Sequence, residues 1–287
     1  MKRARTISAA IAHYLRHGDV DAECSTWPGG FLDRDRLAHH DLRQALAAEV
    51  TRRSAGIAPA LLQNVPQDGQ VELTHRRIEP MVRGLFAPDE QDTVLDRLRS
   101  SVVFITGGNI DELIHGLTWH HTAWTVANMH LRSLGLEPMG GRDGGRDSAP
   151  VGMSEEITCY LTPEYFTETD PYADFVVHEV AHIFHNCKRG TLGLKQTRTR
   201  EWLLDIEFSE RETFAYSCEA YSRVINGSAD RRERQRRAEA FAESARLPAH
   251  AVDEQTVIDI VRAAAASRSG WRLILARCAP ARPRKTS

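Results

Sequence analysis

The chain has 287 residues, 41% of them hydrophobic and 26% charged, with a net charge of −2. That length allows one large domain or two modest ones, each with a real core. The near balance of charge gives no electrostatic case for nucleic acid or an anionic membrane as partner, and no apolar run reaches the roughly 20 residues of a membrane-spanning helix.

Taken in order, the opening "MKRARTISAAIAHYLRHG" is interrupted by His13, Arg16 and His17 and lacks a small-residue cleavage site. It reads as an amphipathic helix and not a signal peptide. Residues 1–100 form a mostly helical region broken at "STWPGG" (25–30) and "NVPQDGQ" (64–70). Within it, Leu37, Leu42, Leu46 and Val50 have helical spacing. "SVVFIT" (101–106) is β-rich, and Asn109, with Glu112 three residues on, is expected to cap one helix running to about Leu134. "GGRDGGRDS" (140–148) reads as a mobile loop and "EITCYL" (156–161) as a strand.

Asp170 as cap and Pro171 at the first helical position predict a helix to about Asn186. A glycine-punctuated loop (187–200) precedes a second helical stretch, "REWLLDIEFSERETFAYSCEAYSRVING", that ends near Gly227. Residues 230–266 are expected to be helical and charged; "GWRLILARC" (270–278) fits helix or strand, and the tail 279–287 is expected to be disordered. The five cysteines, Cys24, Cys159, Cys187, Cys218 and Cys278, form no CxxC pair. An odd, sparse set predicts reduced thiols and a cytoplasmic location, with export by a signal-independent route still open.

The chemistry concentrates in "FVVHEVAHIFHN" (175–186). His178 and His182 are four apart, so on a helix they project about 40° apart from one face and can converge on one metal ion. Glu179 lies about 100° round from His178. It is placed to act not as a ligand but as general base toward a metal-activated water. Apart from the glutamate, Phe175 to Val177, Val180, Ala181, Ile183 and Phe184 carry no charge, which marks a buried helix. A buried His-Glu-His group needs compensation, and a metal supplies it.

"HEVAH" within "FVVHEVAHIF" resembles the zincin metallopeptidases, over residues 101–226. The resemblance implies a small sheet beside the active-site helix, one zinc ion per chain, and hydrolysis of peptide bonds in a protein or peptide substrate. It organises the chain as an N-terminal helical region (1–100), a zincin-like metallopeptidase core (101–229) and a C-terminal helical cover with a disordered tail (230–287). The expected fold class is α+β, mainly helical.

A catalytic zinc takes three protein ligands. His185 is seven residues past His178, about 10.5 Å further along the axis, too far for an unbroken helix to bring all three histidines to one ion. The HExxHxxGxxH arrangement fails as well, because His185 stands at its glycine and Lys188 at its last histidine. His185 therefore falls behind the ligands or on the surface, with a His182–His185 site as a minor option. A later carboxylate is the other solution, from among Glu201, Asp205, Glu207, Glu210, Glu212 and Glu219. "ETFAY" (212–216) resembles the Glu-x-x-Ala segment of glutamate-ligand zincins, which favours Glu212; Glu219, on the same face, either orients a histidine or is itself the ligand. The relatives often carry an acid where this chain has Tyr216, which leaves Glu219 or Asp174 to support a histidine. Tyr160, Tyr165, Tyr216 and Tyr221 are possible oxyanion donors, whereas His120, His121, Cys187 and Cys218 have no ligand spacing. The alternative function is a zinc-stabilised, non-catalytic binding or regulatory module.

Overall fold

The computed structural model describes residues 6–57, 67–140, 151–196 and 200–281. Within them run α1 (Ile7–His17), α2 (Phe31–Ser54), α3 (Gln67–Leu85), α4 (Pro88–Leu98), β1 (Val102–Phe104), α5 (Ile110–Gly116), α6 (His120–Ser133), β2 (Gly152–Glu155), β3 (Thr158–Leu161), α7 (Phe175–Asn186), α8 (Arg211–Asn226), α9 (Arg231–Ser244), α10 (Glu254–Ala266) and α11 (Gly270–Cys278). The chain is mainly helical with a small three-stranded sheet of order β1-β3-β2, an α+β protein. Among the described residues no helix is long and apolar enough to cross a membrane. All five cysteines are buried and unpaired.

Packing divides the chain into two compact units. The first comprises 1–65, 104–151 and 162–164; the second comprises 66–103, 152–161 and 165–287. These units cut across the three consecutive segments expected from sequence, since α3, α4 and α9 to α11 share a unit with α7 and α8. In the first unit α2 packs against α5 and α6. Leu42, Leu46 and Val50 are buried there and Leu37 is half-buried, as their spacing requires. The single helix expected over 109–134 is instead two. Buried Arg43 donates to the carbonyls of Leu117 (3.0 Å) and Thr118 (3.5 Å), and Leu117 and Trp119 are extended. Asn109 does not cap by its side chain; it accepts from Thr106 N (2.8 Å) and donates to Phe104 O (2.9 Å).

The second unit is built around α7, which packs on α8, α3 and the β2–β3 hairpin. The one strand expected over 156–161 is the second arm of that hairpin. Gly152 pairs with Leu161 and Glu155 with Thr158, and Glu156 turns the chain at φ 51°. "GMSE" lacks the branched and aromatic residues that signal a strand, so its pairing comes from the partner. Helix α7 starts at Phe175, not Pro171: Asp174 caps it by accepting from Val177 N (3.4 Å), while Asp170 closes a preceding turn by accepting from Tyr172 N (2.8 Å). Asp174 is 1% exposed and held by Arg223 (3.3 Å) and Arg77 (3.6 Å). These partners are remote in sequence, which is why the local pattern pointed to Asp170.

The second helical stretch is likewise shorter than expected. Residues 200–207 are not helical but pass the C-terminal end of α7, where Leu204 N donates to Phe184 O (2.9 Å) and Leu203 N to Cys187 O (3.0 Å). Backbone groups that would have served a helix here satisfy the open carbonyls of another. Buried Arg189 secures the intervening loop through Glu90, Lys195 O (2.9 Å) and Leu203 O (3.4 Å). Residues 230–266 form two helices, and 270–278 is helical. The loop expected at 140–148 lies outside the described residues from 141 on, as does the tail from 282.

Candidate metal centre

Helices α7 and α8 pack directly together, and the polar side chains of their facing surfaces meet at one point. From α7, the Nε2 atoms of His178 and His182 lie 3.2 Å apart. From the first turn of α8, Glu212 Oε2 stands 3.5 Å from His182 Nε2 and 3.9 Å from His178 Nε2. These three side chains are the metal-capable cluster among the described residues, their ligand atoms all within 4.8 Å of one another. Nitrogen and oxygen ligands at 2.0–2.1 Å from a tetrahedral zinc would be about 3.4 Å apart. The observed separations bracket that spacing, so the donor set fits the ion.

The opposite nitrogens of both rings are engaged. Glu219 Oε2 lies 3.0 Å from His178 Nδ1, and its Oε1 accepts from Asp174 N at 2.7 Å. His185 Nε2 lies 2.9 Å from His182 Nδ1. The carboxylate of Glu219 can only accept, so His178 Nδ1 carries a proton and Nε2 is the nitrogen offered to an ion. Glu219 and His185 each sit behind a histidine, outside the three converging atoms. Glu201, Asp205, Glu207 and Glu210 are not part of the cluster.

Charge around the two imidazoles is predominantly negative. Burial disfavours the His178 cation, but hydrogen bonding and charge from Glu219, helped by Glu179 and Glu212, raise its pKa to about 9. The hydrogen bond to His182 outweighs burial at Glu212 and brings its pKa down to about 2. Burial, with the charges of His182 and Arg211, lowers His185 to about 4, which leaves it neutral. Three carboxylates about two imidazoles make a place that favours a cation.

Glu179 is 7% exposed, and burial holds its carboxyl above the ordinary range against the pull of His178 and His182. Gly152 on β2 lies against it: a Cβ at that position would fall 2.8 Å from both Glu179 Cγ and Oε1. This glycine's part is not legible in the sequence, because a lone glycine ahead of an unrecognised strand has no pattern. Tyr216, on the same face of α8 as Glu212 and Glu219, stacks edge-on to His178 with ring centroids 4.5 Å apart. Its phenol is kept protonated by burial and by Glu219, Glu212 and Glu179. An open groove of about 1420 Å³ is lined by His185 together with Leu85, Trp202, Leu204, Phe208 and Leu275. Trp202 and Phe208 are exposed there.

Other residues weighed from sequence lie elsewhere. His120 belongs to the first unit, where it packs against Tyr14 and His39 and burial lowers its pKa to about 4. Tyr165 and Tyr221 are buried aromatics. Cys187 and Cys218 are buried thiols, both pushed up by burial. Comparison of the chain with family models, with curated proteins and with solved structures finds no match.

Proposed function

We propose that the chain is a zinc-dependent metalloendopeptidase of zincin type, and that it hydrolyses peptide bonds in a protein substrate. The observation that carries this reading is the meeting of His178 Nε2, His182 Nε2 and Glu212 Oε2 beside a buried acid, Glu179. The first three would hold the ion. When bound, zinc supplies Lewis acidity, which polarises a carbonyl and lowers the pKa of a water. Glu179 takes a proton from the attacking water and delivers it to the departing amine. Its burial between α7 and β2 limits the positions that its carboxylate can occupy. The protonated Tyr216 hydroxyl is a donor for the developing oxyanion. The open groove that His185 also lines, with Trp202 and Phe208 on its wall, is where we would place part of an extended substrate.

The test is Glu179→Gln in the full chain, with cleaved proteins identified in cells that express it or the wild type. A positioned general base contributes about 10²–10⁴ in rate. The variant is expected to fold, retain its zinc and produce almost none of the wild-type cleavages. Equal cleavage by both would remove Glu179 from the reaction. Stoichiometric zinc with no cleavage by either protein would favour the non-catalytic binding module.

A further inference from the structure

We propose that His185 is a positioning residue: its Nε2 accepts the Nδ1 proton of His182 and thereby holds His182 in the one tautomer that can bind an ion through Nε2. The inference rests on the metal-centre reading above and assigns His185 the part that Glu219 plays for His178.

The geometry sets the direction of the hydrogen bond. His182 Nδ1 and His185 Nε2 are 2.9 Å apart, so one of the two nitrogens carries a proton and the other a lone pair. If His185 were the donor, His182 Nδ1 would be bare and the proton of a neutral His182 would sit on Nε2. That proton would point into the space 3.2 Å from His178 Nε2 and 3.5 Å from Glu212 Oε2, where the three ligand atoms converge. His182 would then have no lone pair for the ion. If His185 accepts, the Nε2 lone pair of His182 is free and points the right way. Metal binding and the 2.9 Å contact are therefore compatible with one proton arrangement only.

The same helix geometry that bars His185 from the ion places it for this part. Three residues beyond His182, it lies one turn on along the same face, within reach of the near side of the His182 ring and remote from His178. It is half-buried at the last turn of α7, where it also lines the open groove. Substitutions there leave the fully buried face of Val176, Val177, Val180, Ile183 and Phe184 intact. The two histidines are thus held by chemically different partners, a carboxylate behind His178 and a neutral imidazole behind His182. A neutral acceptor fixes the tautomer without adding a further negative charge to a cluster that already has Glu179, Glu212 and Glu219.

The test compares His185→Gln, which can accept through its side-chain oxygen, with His185→Leu, which cannot. Zinc affinity is measured by competition with a fluorescent chelator, and the His182 Nδ1 proton is followed as a downfield, ¹⁵N-coupled imidazole signal. Loss of a hydrogen-bonded partner behind a metal-binding histidine typically weakens affinity about 10–100-fold. His185→Leu is expected to fall in that range and to lose the His182 proton signal. His185→Gln is expected to keep the signal and most of the affinity. Wild-type affinity in His185→Leu would overturn the proposal. So would loss of zinc in both variants as complete as in His178→Ala, which would make His185 a ligand. Wild-type protein that takes up no zinc would instead sink the peptidase reading, and the imidazole signal of that metal-free protein would still decide whether the His182–His185 hydrogen bond has the stated direction.

Discussion

Glu219 of α8 is joined to His178 of α7 by a 3.0 Å contact between Oε2 and Nδ1, while its second oxygen accepts the backbone N–H of Asp174 at 2.7 Å. One buried carboxylate thus fixes both the ring of a candidate ligand and the residue that starts its helix. Which nitrogen of His178 faces Glu212 is decided there.

This arrangement separates ligands from supports. His178→Ala and His182→Ala are expected to abolish stoichiometric zinc in protein purified without a metal-affinity tag. Glu212→Ala should weaken binding far more than Glu219→Ala, for which the loss of a supporting hydrogen bond predicts about 10–100-fold. Elemental analysis and chelator competition give the ranking. A greater loss in Glu219→Ala would make Glu219 the ligand.

The elevated pKa of His178 predicts proton-linked binding. Its value in the folded, metal-free protein is about 9, against 6.5 for the unperturbed group. Protonated His178 therefore contributes stability that is fully present below pH 6.5 and lost as pH rises through about 9. An ion must displace that proton, so zinc affinity should rise with pH across the same window. Calorimetry in buffers of different ionisation enthalpy should detect proton release near pH 7.5. Glu219→Gln should reduce the release, and pH-independent binding with no release would refute the assignment.

Gly152→Ala tests the wall behind the proposed base. The added methyl would meet Glu179 Cγ and Oε1 at 2.8 Å and Leu161 Cδ2 at 2.6 Å. Backbone or side chain must shift, and overpacking of this kind costs about 1–3 kcal/mol. Cleavage should drop markedly while zinc content stays near one per chain. Unchanged turnover, with the variant's melting temperature unaltered, would show that Glu179 has room to spare.

Asp174→Ala should destabilise the second unit. It removes a helix cap, for about 1 kcal/mol, and leaves Arg77 and Arg223 without the carboxylate that both of them face. Asp174→Asn keeps the cap and should lose less. Urea unfolding of both variants ranks them, and equal stability of Asp174→Ala and wild type would contradict the assigned part of this carboxylate.

What the sequence determined by itself was local and periodic. The four-residue spacing of His178 and His182, the uncharged flanks and the place of Glu179 follow from helix geometry. The ends of α7 at Asn186 and of α8 at Asn226 carried recognisable signals. Tertiary structure decided what depends on partners distant in the chain. Asp174, not Asp170, starts α7 because Arg77 and Arg223 hold its carboxylate. Residues 203 and 204 leave the helical pattern because their N–H groups bond to Phe184 and Cys187. The 109–134 helix breaks where Arg43 takes up the Leu117 carbonyl. The different surroundings of Glu212 and Glu219 are of the same kind. The two lie seven residues apart on one face of α8, equivalent by periodicity, and only the packing of α8 on α7 sets one beside the Nε2 atoms and the other behind Nδ1.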